Sequence, residues 1–345
     1  MCVRYVRCLH GFQQRVLALA EKPLLAVTLA GLALAGPLSA VASPNAYPAE
    51  PIRLIVPYSP GGHTDLTARV IADGLGKQLN KPVIVENKAG ATGSIGMLAV
   101  TRAEPDGYTL GLAGSSNFVL LPLLRNEPPY KPAEDFSMIN VPMTVAFVLV
   151  VANDSPFKTA EDLVTYAKKN SDTLTYASSG VGGIHHVGTE YFNELAGIKT
   201  RNIPYKGGSE NVSALLGGQI DFMFEALSSI LPQIKAGTVR ALGVTPGTRV
   251  SHLPDVPTIL ETGVAGKYQF SAFSGLVGPA GMSASVKDTL AKAMSAALRS
   301  PEVIDRLNKL GTEVAGLDEK GFEDRLAAEI SVWNPLIQRA GIPKQ

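Results

Sequence analysis

Apolar positions along this chain alternate between short continuous runs and helical stripes, which predicts β-strands and α-helices in alternation from residue 52 onward. Ile52, Leu54, Ile55 and Val56 form one such run and read as a buried strand. Pro57 and Pro60 end it, and Gly61-Gly62 permit positive φ and close approach of a ligand to the backbone. Thr64 stands where an N-cap would, Asp65 falls in the first helical turn, and Leu66, Val70, Ile71, Leu75 and Leu79 recur on one helix face. The free amides and dipole of such a helix start favour a carboxylate or phosphate, although many α/β proteins use the same turn as a plain connection.

A second unit of this design spans residues 174–196, where a strand ends in Ser178-Ser179-Gly180-Val181-Gly182-Gly183 and a helix follows. Two such turns about 100 residues apart predict two α/β lobes whose strand ends face a shared cleft. Further strands are expected at 83–85, 108–113, 146–152, 200–205, 220–224, 239–245 and 270–277. Helices are expected at 159–169, 210–216, 285–299, 301–310 and 318–340, with Pro335 kinking or splitting the last. Crossovers near 142–146 and 244–247 divide the chain into a discontinuous first domain, 43–143 with 246–345, and a second domain, 144–245.

The first 42 residues do not fit this pattern. Arg4, Arg7, Arg15 and Lys22 make a basic leader, 23–37 is apolar, and Ala40-Val41-Ala42 is a cleavage pattern ahead of Ser43. The apolar stretch is about 15 residues, short of the ~20 that cross a bilayer, so a cleaved signal peptide is expected and not an uncleaved anchor. Both cysteines, Cys2 and Cys8, lie in this leader. The mature chain would then hold no disulfide, thiolate nucleophile or cysteine metal site, and a soluble periplasmic protein is expected.

With a net charge of +1, scattered Lys and Arg, and 6% aromatic residues, the chain shows neither the electrostatic footprint nor the stacking platform of a nucleic-acid binder. Enzyme patterns also fail: Gly180-x-Gly182 is followed by His185 where a dinucleotide fingerprint needs a small residue, no glycine turn continues into Gly-Lys-Ser/Thr, and Ser178 lacks a nucleophile elbow's upstream glycine. His186 and Glu190 share a helix face, but no third ligand is evident, so neither metal nor cofactor is expected. Lys206, beside Gly207-Gly208, reads as a surface lysine next to a hinge-like turn or as a cation reaching the ligand.

The ordered segments PYSPGGHTD, VENKAGATGSIG, PDGYTL, YASSGVGGIHH, IPYKGG, LLGGQIDFMFE, VRALGVT and LPDVPTI run through nearly the whole mature chain. In this order they resemble the Bug-type solute-binding receptors of tripartite tricarboxylate transporters. That resemblance implies a monomeric, two-lobed α/β periplasmic binding protein, type II-like. It would close on a small organic acid, a di- or tricarboxylate or related carboxylate, and pass it to the transporter's membrane subunits. It also places the ligand between the turn of Gly61, Gly62, His63, Thr64 and Asp65 and the turn running from Ser178, Ser179 and Gly180 through Gly183 to His186. Backbone amides and hydroxyls would hold the carboxylate oxygens there, partly through water. Tyr58 and Tyr205 complete the candidate set with Ser115 and Ser116, which follow a strand end and stand either as ligand donors or as an ordinary turn with Asn117.

Two positions depart from the family pattern. His63 stands where a small residue is common, and is read as a cation or donor for a second carboxylate or as a solvent-facing side chain. Glu225 stands where Asp is usual, and either lines the cleft or caps a helix. A receptor serving a sensor kinase, and an exported enzyme on the same scaffold, stand as alternatives of other classes.

Overall fold

The computed structural model describes residues 47–339, 342 and 344; the leader and its cleavage point after Ala42 lie outside them. Eleven strands are described: β1 (Ile52–Val56), β2 (Val83–Asn87), β3 (Thr109–Gly114), β4 (Phe136–Val145), β5 (Phe147–Ala152), β6 (Thr175–Ser178), β7 (Arg201–Pro204), β8 (Phe222–Ala226), β9 (Val239–Val244), β10 (Ala272–Pro279) and β11 (Glu313–Leu317). They make two sheets, one ordered β11-β4-β10-β3-β1-β2 and the other β7-β6-β8-β5-β9. In the first, β1 runs parallel to β2 and β3, while β10 lies antiparallel between β3 and β4. In the second, β6 is parallel to β7 and β8, and β5 is antiparallel to β8 and β9.

The described helices are α1 (His63–Leu79), α2 (Ser94–Thr101), α3 (Leu121–Leu124), α4 (Pro132–Asp135), α5 (Ala160–Lys169), α6 (Ile184–Ala196), α7 (Gly208–Leu216), α8 (Leu227–Lys235), α9 (Ile259–Thr262), α10 (Ala284–Leu298), α11 (Pro301–Lys309) and α12 (Glu319–Arg339). They cover both faces of each sheet, which is why the strands read as nearly continuous apolar runs. Alternation along β1 sends Ile52, Leu54 and Val56 to a core shared with α1, α10 and α11, and Ile55 to the opposite face with Met97, Phe118 and Phe322. In β5, Phe147, Leu149 and Val151 join that second core, while Val148 and Val150 pack with residues of α7 and α8. One apolar core therefore runs from the first sheet into the second.

Two local expectations are corrected. The strand β4 occupies the segment read as a crossover, and Pro142 sits inside it. Met143 pairs with Ser274 and Asn140 with Leu276, so the register shifts around Val141-Pro142 and the missing N–H falls in a bulge. Gly62, not Thr64, is the N-cap of α1. The last helix continues through Pro335, with Trp333, Leu336 and Ile337 buried on either side of it.

The chain passes between the sheets from β4 into β5 and again after β9, and Thr245, fully buried, laces the two passages together. Its N–H donates to the Phe147 carbonyl (2.9 Å), its Oγ1 accepts from the Phe147 N–H (3.3 Å) and donates to the Phe270 carbonyl (2.8 Å), and its own carbonyl accepts from the Phe270 N–H (3.1 Å). Beyond it an aromatic chain runs Phe147, Phe270, Trp333, with centroids 5.2 and 5.6 Å apart.

Candidate functional site

Where β1 ends, Gly61 takes φ +82° and the chain turns into α1. Asp65 braces this turn: its carboxylate accepts from the Gly61 amide (2.9 Å), Asn87 Nδ2 (3.0 Å) and Arg69 Nη2 (2.8 Å). Burial pushes the Asp65 carboxyl up, but the hydrogen bonds from Arg69, Gly61 and Asn87 outweigh it and hold it below the usual carboxylate range. The first helical hydrogen bond is Leu66 N–H to the Gly62 carbonyl (3.0 Å), which leaves the His63 and Thr64 amides pointing ahead of the helix.

Across the cleft lies a second helix start, that of α7. Its first backbone bonds run from Glu210 and Asn211 to the Gly207 carbonyl, so the Gly208 amide also points ahead. The two starts nearly touch: a Cβ on Gly62 would lie 3.4 Å from the Gly208 nitrogen. Side chains bridge the same gap. His63 Nδ1 lies 2.5 Å from Ser228 Oγ, Ser59 Oγ donates to Glu210 (3.2 Å), Thr92 Oγ1 donates to the Val181 carbonyl (2.9 Å), and Ser116 Oγ accepts from the Ile184 amide (2.9 Å). The lobes are thus described in contact around a partly open cavity of about 70 Å³.

Of the candidates from sequence, Tyr58, Gly62, His63, Thr64, Ser115, Ser116, Ser179 and Glu225 line this cavity. Gly61 and Asp65 sit behind its wall as the brace just described. Gly180, at φ +104°, and Tyr205 line a separate groove with Thr92 and Lys206. In the second glycine turn three donors are already engaged: Gly182 N–H donates to His186 Nδ1 (3.1 Å), Gly183 N–H to the Gly180 carbonyl (3.2 Å), and Ser178 Oγ to the same carbonyl (3.3 Å). His186 therefore braces the turn, and burial lowers its imidazole pKa.

Sequence reasoning missed His185 and Gly208, which line the cavity, and the apolar wall of Phe147, Ile184 and Phe273. The signal for His185 lay in helical phase: it is the inward neighbour of His186. For Gly208 it lay in the glycine pair opening a helix, the same feature that marked the first turn.

Glu225, 1% exposed, accepts from Asn211 Nδ2 (2.9 Å) and the Ala226 amide (3.0 Å), with His185 Nε2 at 3.4 Å. Burial pushes its carboxyl up, but the charge and hydrogen bond of His185, with those from Asn211 and Ala226, hold it below the usual range. Two ring nitrogens in this wall, His63 Nε2 and His185 Nδ1, are buried without a partner. No Lys or Arg is among the described lining residues.

Burial lowers the His63 pKa from 6.5 to about 4, so the ring is neutral near pH 7 and offers a neutral nitrogen, not a cation. Above pH 6.5 neither folded nor unfolded chain carries this proton; between 6.5 and 4 the unfolded chain binds it first, so stability falls as pH drops through that window. For a depression of this size the loss is roughly 3 kcal/mol. His63→Gln should flatten that part of the profile in urea denaturation at pH 7 and pH 4.5; the same pH dependence in both proteins would remove His63 as its source.

Among the described residues no helix is long and apolar enough to cross a membrane, and no group of three or more His, Cys, Asp or Glu could hold a metal ion. A family model described as "Tripartite tricarboxylate transporter family receptor" matches residues 67–342. The protein BugT of Bordetella pertussis is 34% identical over 322 residues, covering 92% of this chain and 97% of its own. The structure of the periplasmic binding protein BugD superposes with a TM-score of 0.83 at 34% identity, covering 87% of this chain and 100% of that one. That of R. palustris Rpa4515 with adipate gives 0.83 at 29% identity, covering 86% and 99%. With its model matching most of the chain and a relative of this identity spanning nearly all of it, the chain belongs to the tripartite tricarboxylate transporter receptor family.

Proposed function

We propose that this chain is a periplasmic receptor that captures a small carboxylate by closing two lobes, 43–143 with 246–345 against 144–245, and hands it to the membrane subunits of a tripartite tricarboxylate-type transporter. The observation that carries this reading is the meeting of two helix starts, α1 and α7, over a cavity with no Lys or Arg among its described lining residues. Amides of Gly62–Thr64 and Gly208, backed by helix dipoles, are suited to carboxylate oxygens and offer no chemistry for turnover. The adipate bound by Rpa4515 supports a carboxylate as ligand class.

Calorimetric titration of the mature chain with a panel of organic acids and their primary amides tests the reading. An acid should bind more tightly than its amide by about 1.5 to 3 kcal/mol, the worth of hydrogen bonds to a charged group. Equal affinity for acid and amide would defeat it. Small-angle scattering at saturating acid should show a more compact particle than without, and N-terminal sequencing of the exported protein should begin at Ser43. Uptake of labelled acid into vesicles carrying the membrane subunits should require the receptor; receptor-independent uptake would defeat the delivery step.

A further inference from the structure

Beside the acid cavity lies the separate groove, about 190 Å³ in volume, and both lobes build it. The first lobe supplies the turn 90–93 and Arg125, the residue after α3; the second supplies 179–181, Tyr205 and Lys206. Ser179 lines cavity and groove alike. Their charges differ, since the cavity holds Glu225 and no Lys or Arg among its described lining, and the groove holds Arg125 and Lys206 and no Asp or Glu. Among the described residues no carboxylate pairs with either cation. The carboxylate nearest to Lys206 in sequence, Glu210, accepts from the Lys206 amide (3.0 Å) and from Ser59 Oγ (3.2 Å). One wall of the groove is strained: Ala91 and Thr92 take φ +46° and +56°, left-handed values that a side chain adopts at a cost. Thr92 Oγ1 donates to the Val181 carbonyl of the other lobe (2.9 Å), and a Cβ on Gly180 would fall 2.9 Å from that hydroxyl. The strained turn is thus fitted against the second lobe.

We propose that this groove is a second anion site, completed only when the lobes meet, which takes a small oxyanion of two or more negative charges between Arg125 and Lys206 and so favours the acid-bound arrangement. The proposal rests on the lobe-closure reading above and adds a site to it. Because the two cations stand on opposite lobes, opening parts them and closure sets both charges against one groove. That approach is repulsive by itself. An anion with oxygens for both makes it attractive, and a guanidinium can meet such an anion with two parallel N–H bonds. Linkage then requires reciprocity: an anion that needs both lobes together tightens acid binding by the factor by which the acid tightens its own. The chemistry has two sources, a free inorganic oxyanion or a second molecule of the acid.

The test is calorimetry at pH 7 on the mature chain, with sodium sulfate titrated into acid-free protein and into protein saturated with the tightest-binding acid of the panel above, ionic strength being held constant with sodium chloride. Sulfate binding that Arg125→Gln and Lys206→Gln each remove belongs to the groove. Lys206 is exposed and Arg125 half-buried, so both variants should fold, and a thermal melt checks that they do. Groove binding should be about fivefold or more tighter in the acid-saturated chain, the lower end of ordinary couplings. A second, weaker acid per chain, lost in both variants, would support the site and identify its occupant as the acid itself. The proposal is overturned if the acid-saturated wild type binds neither sulfate nor a second acid, if both folded variants bind as the wild type does, or if the acid-free chain binds sulfate in the groove equally well. Should no acid of the panel bind, the carboxylate reading falls by itself. Sulfate titrated into the chain alone then decides for the groove: binding lost in both variants keeps the anion site, and no binding ends it.

Discussion

Gly62→Val should abolish acid binding while leaving the protein folded. The backbone at Gly62 has φ −79° and ψ 169°, open to any residue, so the substitution meets no local strain. The positive φ of this turn belongs to Gly61 instead. What the valine would meet is the opposite lobe: its Cβ would already lie 3.4 Å from the Gly208 nitrogen and 3.8 Å from the Gly208 Cα, and its methyls would reach into the gap between α1 and α7. The lobes then cannot close, and the amides that would hold an anion stay apart. The expected loss exceeds about 100-fold in affinity, the scale of losing two charge-assisted hydrogen bonds. Gly62→Ala, at the edge of ordinary contact, should lose far less. Titration shows the loss and a thermal melt shows the retained fold; a valine variant binding within tenfold of wild type would end the claim that closure joins these helix starts.

Trp333→Ala should produce the largest loss of stability. The side chain is 2% exposed and meets Phe270 edge-on at 5.6 Å, and Phe270 in turn packs against Tyr268 and Phe147. Removing it empties the centre of the core that spans both sheets, and substitutions of this kind cost about 3 to 5 kcal/mol. For a chain of this size that corresponds to a fall in Tm of roughly 10 °C. Because Trp333 is the sole tryptophan, circular dichroism should follow the melt. A fall of less than about 3 °C would mean that the neighbouring rings collapse into the space.

The parts of this molecule legible in sequence are those set by local chemistry. The run from Ile52 to Val56 followed by Gly61-Gly62 specified strand, turn and helix, because apolar continuity and glycine at positive φ act within a few residues. The strand β4 was hidden by Pro142, which argues against a central strand unless a bulge absorbs it, and the bulge depends on β10, more than a hundred residues away. The polar loop at Ser115-Ser116-Asn117 forms a π-helical turn, in which Ser116 Oγ reaches the Ile184 amide of the other lobe. The second glycine turn looked like an anion site from its composition, yet which amides remain free depends on where His186 and Ser116 point. Directions of side chains at Glu225 and His185 are likewise tertiary facts, since a strand residue faces whichever layer the fold sets against it.

Thr245 has a consequence for how the cleft moves. The passage from β4 to β5 and the passage after β9 run side by side, and a single hydroxyl ties Phe147, Thr245 and Phe270 into one knot. Two strands fastened at a point cannot slide past each other, so the sheets are left with rotation about an axis through that point and little translation. Opening then has a single coordinate. Pairs of spin labels placed across the cleft at different distances from Thr245 should report separations that grow in proportion to those distances, as points on a swinging door do, and Thr245→Val should scatter that proportion by letting the passages slip.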